Sequence, residues 1–280
     1  MKSFIFLPLA LGALPLAAAE PPPRVGIVAD PCGSLPPMPA IVVDYLTRAK
    51  AALAAGEPLP PRSAEGTAIY TKWQQDLLLA DFAGLCRYAA ANRDLPPATP
   101  DRVVFIGDSI TELWLAEQPD FFTGDRIDRG ISGQTTTQML ARFRADAIDL
   151  KPRVVHIMAG TNDIAGNIGS TSLDRIDANI RTMVDLAEAH GIAVVIGSVL
   201  PARQFNWRPE IAPIEPIAAL NARLRQLAAE KKLVFADYYA VLDDGSHGLA
   251  KIHAEDGVHP SAAGYAVMRP VAERALAAVR

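Results

Sequence analysis

Short apolar runs alternate with longer mixed segments over the last two thirds of the chain. Residues 103–106, 154–158, 192–199 and 233–236 are compact, largely apolar stretches, and 126–131 is a weaker candidate strand. Between and after them, residues 136–150, 172–190, 214–232 and 262–278 read as helices, with Gly191 as a stop signal before the strand at 192–199. Strands that are apolar on both faces and are separated by helices predict a parallel sheet covered on both sides. The fold class is therefore α/β, with the carboxyl ends of the strands as the expected ligand-binding rim.

The first hundred residues follow a different regime. Residues 20–39 are rich in proline and read as extended or irregular, whereas 41–55 and 71–91 read as helices. Pro96, Pro97 and Pro100 then punctuate the chain. Residues 20–100 are expected to form an N-terminal extension packed on a main domain at 101–280. Ahead of them, Lys2, the uncharged apolar stretch 4–16 and Ala17-Ala18-Ala19 form the pattern of a signal peptide cleaved near Ala19. An uncleaved anchor is the alternative, but the stretch falls short of the ~20 residues that a spanning helix needs. No later segment is long and apolar enough to span a membrane, so the expected destination is the periplasm or the exterior.

Composition narrows the partners. Half of the 280 residues are hydrophobic, enough for one sizeable core, and the net charge is −4. No lysine- or arginine-rich run exists, which argues against nucleic acid and anionic membrane surfaces as partners. No oligomerisation signal stands out. Export gives meaning to the two cysteines, Cys32 and Cys86: an oxidising compartment favours a disulfide between them over two buried thiols.

Polar and glycine-rich segments collect at the predicted rim. Gly107-Asp108-Ser109-Ile110 follows the first strand, Gly130-Ile131-Ser132-Gly133-Gln134 the second and Gly160-Thr161-Asn162-Asp163 the third. Asp256-Gly257-Val258-His259-Pro260 precedes the last helix. Serine needs an adjacent base to become a nucleophile. His259 is the candidate base, and Asp256 can fix its tautomer. Gly133 and Asn162 supply the donor types that a tetrahedral oxyanion requires. Taken singly, Ser109 could be a helix cap, Gly133 a turn residue and Asn162 part of an Asx turn. Their joint occurrence in this order favours chemistry.

These segments resemble the four signature blocks of the SGNH hydrolases, also called the GDSL esterase/lipase family. The resemblance covers about residues 102–275 and leaves the N-terminal extension outside. It implies a three-layer α/β/α, flavodoxin-like domain with about five parallel strands, and ester hydrolysis without metal or organic cofactor. It further implies that Ser109 attacks the carbonyl, His259 serves as base and then acid, and Asp256 orients it. The oxyanion hole would be the Ser109 N–H, the Gly133 N–H and the Asn162 side chain. The Gly-x-Ser-x-Gly elbow of another hydrolase fold is absent around Ser109.

Other features carry less. His247, His253, Asp256 and His259 lie close in sequence, but their spacings fit no common metal-ligand helix and no metal is expected. His156 sits inside an apolar strand and reads as a core histidine. Gln204, Phe205 and Trp207 follow a strand at the functional edge and are expected either to line an acyl or alcohol pocket or merely to pack a long loop. The expected substrates are small acyl esters, with acetyl groups on carbohydrates in front and lysophospholipid or lipase-type esters as the alternative. A non-catalytic glycan- or lipid-binding module is the remaining reading, although such a module has no need of Ser109, Asp256 and His259 together.

Overall fold

A computed structural model describes residues 26–55, 57, 60–254 and 256–279, so the expected signal peptide lies outside the described residues. The chain divides into two compact units, Met1–Trp73 and Gln74–Arg280. In the first, helix α1 spans Ala40–Ala55, and helix α2, Ala64–Ala80, begins there. Ser63 caps α2 by accepting the Gly66 N–H at 3.0 Å. The Trp73 indole donates to the Pro36 carbonyl at 3.0 Å.

The sequence predicts one helix over 71–91, but α2 stops at Ala80 and a separate short helix, α3, covers Ala89–Arg93. The break has a local cause. The Asp81 carboxylate accepts the N–H groups of Leu85 and Cys86, both at 2.8 Å, in competition with helical bonding. The boundary between units also falls at residue 73 rather than 100. Residues 82–92 belong with the sheet: the carbonyls of Ala83 and Phe82 accept from Gln134 and Gln138, and Asn92 donates to Asp146 at 2.7 Å.

The second unit carries five parallel strands: β1 (Val103–Gly107), β2 (Arg126–Gly130), β3 (Val154–Met158), β4 (Ala193–Gly197) and β5 (Val234–Ala236). Their order, β2-β1-β3-β4-β5, reverses direction at β1, which makes the carboxyl end of β1 a topological switch point. The register sets Gly107 level with Gly130 on one side and with Met158 on the other.

The helices follow from the strands' alternation. Val104, Ile106, Val155 and Ile157 face one way, into a core built with Met139, Phe143, Ile180, Met183, Leu220 and Leu224. Those partners come from α5 (Thr136–Asp146), α7 (Leu173–Ala189) and α8 (Ile214–Lys231), which follow α4 (Ser109–Glu117) and the short α6 (Thr161–Ile164) in the chain. Val103, Phe105 and Val154 face the opposite core, with Trp114, Tyr238, Tyr265 and Met268, supplied by α4, α9 (Tyr238–Leu242) and α10 (Ala262–Ala278). The result is the expected three-layer sandwich. His156 on β3 is fully buried, lies 2.8 Å from the Tyr238 hydroxyl, and is driven by burial to a pKa of about 3. It is the neutral core histidine expected from its apolar strand.

Candidate active site

At the switch point the chain leaves β1 and enters α4 within one residue. Asp108 occupies the N-cap and accepts the Ile110 N–H at 2.9 Å, so Ser109 becomes the first residue of the helix. Its own N–H is one of the orphan donors of a helix start, beside the positive end of the helix dipole. Space here is tight: a Cβ on Gly130 at the end of β2 would stand 2.2 Å from the Glu112 nitrogen, so only glycine fits.

The loop before α10 brings the other two groups. Ser109 Oγ and His259 Nε2 are 2.9 Å apart, and His259 Nδ1 lies 2.6 Å from Asp256 Oδ2. The second oxygen, Asp256 Oδ1, accepts the N–H groups of Val258 and His259 at 2.9 and 2.8 Å. Partial burial alone would raise the Asp256 pKa; the hydrogen bonds from the His259 ring and these N–H groups outweigh it and hold the carboxyl at about 2. An ionised carboxylate only accepts, so Nδ1 carries the ring proton and Nε2 presents its lone pair to Ser109. Burial would depress His259, but the bond and charge of Asp256, with the charge of Asp108, lift it above the ordinary histidine value.

Two loops complete the rim. Gly133 sits at φ +80°, a left-handed conformation that a side chain would strain. Among the described residues its N–H has no protein acceptor. Asn162, at the start of α6, is buried, and its Nδ2 donates to Asp108 Oδ2 at 3.2 Å and to the Gln134 carbonyl at 3.1 Å. A third acceptor, such as an oxyanion, must draw one of those two protons away. The Asp108 carboxyl is pushed up to about 6, chiefly by its complete burial.

Ser109, Asp256, His259, Gly133 and Asn162 thus converge from four distant segments. The loop after β4 joins them unevenly. Trp207 is 41% exposed, its ring centroid stands 6.2 Å from that of His259, and its indole N–H donates to Asn167 Oδ1 at 2.9 Å. Asn206 donates to the Asp256 carbonyl at 3.0 Å. Gln204 is exposed. Phe205 departs from the pocket-lining expectation: it is fully buried within the α5–α7–α8 core and stacks behind Trp207 at 5.1 Å. An apolar ring between core and Trp207 gains more from burial than from an open rim.

Several supporting residues were not singled out in the sequence. Glu112 accepts from the Ser132 N–H at 2.8 Å and from Arg87 at 2.7 Å, which fixes the loop carrying Gly133. The Tyr88 hydroxyl donates to the Gly130 carbonyl at the end of β2. Arg142 on α5 is fully buried, pairs with Asp146 at 3.0 Å, and donates to Gln134 Oε1 at 2.6 Å and to the Gly107 carbonyl at 3.0 Å. His247 lies 2.9 Å from the Tyr239 hydroxyl. Among the described residues no three His, Cys, Asp or Glu side chains gather as a metal site, no cysteine is a free thiol, and no helix is long and apolar enough to cross a membrane.

Comparisons with known proteins give the family. Residues 105–267 match the model of the GDSL-like Lipase/Acylhydrolase family. A GDSL-like lipase from Bacteroides thetaiotaomicron has a solved structure that is 43% identical, covers 70% of this chain and 98% of its own, and superposes with a TM-score of 0.68. Among curated proteins, the acetylxylan esterase of Geobacillus stearothermophilus is 27% identical over 203 residues, 60% of this chain and 90% of that protein. The uncharacterized lipoprotein YqeF of Bacillus subtilis is 33% identical over 87 residues, a match that spans only 36% of its length. With the family matched over more than half of its length and the SGNH residues gathered at one sheet edge, the chain belongs to the GDSL-like lipase/acylhydrolase family.

Proposed function

We propose that the protein is an exported serine esterase that cleaves small acyl esters through an acyl-enzyme. The observation that carries this reading is the unbroken relay Ser109–His259–Asp256, with contacts of 2.9 and 2.6 Å. In it, Ser109 Oγ bonds to the ester carbonyl carbon as its proton passes to His259 Nε2. The carbonyl oxygen gathers negative charge beside the N–H groups of Ser109 and Gly133 and the Asn162 amide. Collapse of the tetrahedral species breaks the bond to the alcohol, which leaves with the proton from His259. Water repeats the sequence on the acyl-enzyme and releases the acid. Asp256 stays ionised throughout and stabilises the imidazolium.

A small acyl group is supported by the crowding at the rim, where Trp207 stands close to both His259 and Asn167. In this proposal Trp207 and the exposed Gln204 meet the substrate, and Phe205 braces Trp207 from behind. The acetylxylan esterase relative favours acetyl groups on carbohydrates within this class. Export rests on the sequence of residues 1–19 and accords with the absence of free thiols at Cys32 and Cys86.

The experiment is a panel of acetyl-sugar, aryl-acetate and phospholipid esters on wild type and Ser109→Ala. Hydrolysis of the acetyl esters that vanishes in Ser109→Ala is the expected result. Phospholipid cleavage without acetyl-ester cleavage would replace the substrate class, and activity surviving in Ser109→Ala would overturn the mechanism.

A further inference from the structure

We propose that Asn167 is a positioning residue that fixes the polarity of the oxyanion hole, and that Trp207 in turn fixes Asn167. The inference rests on the oxyanion reading above and extends it to residues outside the catalytic blocks.

The chain geometry brings Asn167 back to the site. Helix α6 ends in a left-handed Gly166 at φ +67°. The Gly166 N–H bonds the Asp163 carbonyl and the Asn167 N–H bonds the Asn162 carbonyl, each at 3.0 Å. This pair of bonds is the Schellman closure of a helix. It sets Asn167 directly against Asn162, five residues earlier.

The side-chain bonds then have only one consistent direction. An indole N–H can donate but never accept, so the amide atom of Asn167 facing Trp207 at 2.9 Å must be its oxygen. Its Nδ2 is thereby turned inward, where it donates to Asn162 Oδ1 at 2.7 Å and to the Gly133 carbonyl at 3.2 Å. With Oδ1 committed, Asn162 can present only Nδ2 to the site, where Asp108 Oδ2 and the Gln134 carbonyl, both acceptors, meet it. The donor-only indole therefore sets the direction of the Asn167 amide, which holds the Asn162 amide from one side while Asp108 and the Gln134 carbonyl hold it from the other. The same Asn167 amide also ties down Gly133, whose N–H is the neighbouring oxyanion donor. Both loop-borne donors of the hole answer to a single side chain that need not touch the substrate.

The test compares wild type with Asn167→Asp and Trp207→Phe. The acid keeps the shape of Asn167 and, when ionised, has no donor for Asn162 or Gly133. The phenyl ring keeps the bulk of Trp207 and loses its N–H. Each is measured for kcat, KM and affinity for a trifluoromethyl ketone, which forms a tetrahedral adduct on Ser109. Outright loss of one oxyanion donor costs ~10²–10³ in kcat, so misorienting one is expected to cost about ten- to a hundredfold. Asn167→Asp should lose that factor in kcat and in ketone affinity together, with KM nearly unchanged. Trp207→Phe should lose about two- to tenfold in the same two readouts, the net worth of one hydrogen bond. In the double variant the losses should fail to add, because both act along one chain of contacts. A lower melting temperature with kcat and ketone affinity preserved would overturn the proposal and leave Asn167 a structural residue. Should Asn167→Asp not fold, unchanged ketone affinity in Trp207→Phe overturns it equally. Neither outcome resembles failure of the Ser109 reading, which would appear as activity persisting in Ser109→Ala.

Discussion

Replacing Arg142 by methionine tests how the rim is supported from within. The guanidinium and the Asp146 carboxylate are both fully buried and 3.0 Å apart. Removing the cation leaves Asp146 with the Asn92 amide as its remaining side-chain donor, and leaves Gln134 Oε1 and the Gly107 carbonyl without the bonds Arg142 gives them. Stranding one member of a buried ion pair costs about 3–5 kcal/mol, which already includes much of the price of such orphaned acceptors. A domain of ordinary stability has about 5–15 kcal/mol in hand, so Arg142→Met should fold but unfold at a much lower urea concentration. Arg142→Met/Asp146→Leu removes both charges and should recover most of the loss, since apolar residues of similar volume often replace a buried pair at little cost. Urea unfolding of the three proteins at pH 7, followed by fluorescence, gives the numbers. A single variant within about 1 kcal/mol of wild type would refute the reasoning, as would a double variant no better than the single.

Three further outcomes follow from the site. Activity should rise with pH as His259 loses its proton, with a midpoint above the ordinary 6.5, and Asp256→Asn should move that midpoint down because the anion that raises it is gone; a pH profile of kcat/KM with an unmoved midpoint would contradict the pairing. Trp207→Ala should improve long-chain over acetyl esters, read as a ratio of kcat/KM values so that any loss common to both cancels; an unchanged ratio removes Trp207 from the pocket. Asp128 is buried with Oδ2 unpartnered, and burial lifts its carboxyl to about 7. A carboxyl whose folded pKa is raised costs stability as pH climbs from about 4 to about 7, so the melting temperature should fall over that window and Asp128→Asn should flatten the fall; an equal slope in the variant would show that Asp128 is not its source.

Four of the strands were legible as short apolar runs, β2 only weakly because Arg126, Asp128 and Arg129 interrupt it, and the meeting of Ser109, His259 and Asp256 was legible from motifs placed at the expected rim. What escaped the sequence was the set of contacts made by residues with ordinary local patterns. Arg142 sits in a polar-looking helix and betrays nothing of its complete burial, which depends on Asp146 one turn on and on Gln134 in another segment. Asn167 falls between the predicted strand at 154–158 and the predicted helix at 172–190, and only Gly166 just before it marks the helix stop that returns it to Asn162. Phe205 and Trp207 read alike as aromatic loop residues, yet one is core and the other surface. The helix expected over 71–91 failed at Asp81 because a side-chain carboxylate outcompeted helical carbonyls for two N–H groups.

The central claim is that His259 and Asp256 turn Ser109 into a nucleophile. The most direct measurement is the intact mass of the folded protein after exposure to a fluorophosphonate near pH 8, with peptide mapping of the adduct. One adduct per chain on Ser109, absent from Ser109→Ala and formed far more slowly in His259→Ala, is the predicted result. A folded wild-type protein that takes no label, or takes it on a residue other than Ser109, would contradict the account.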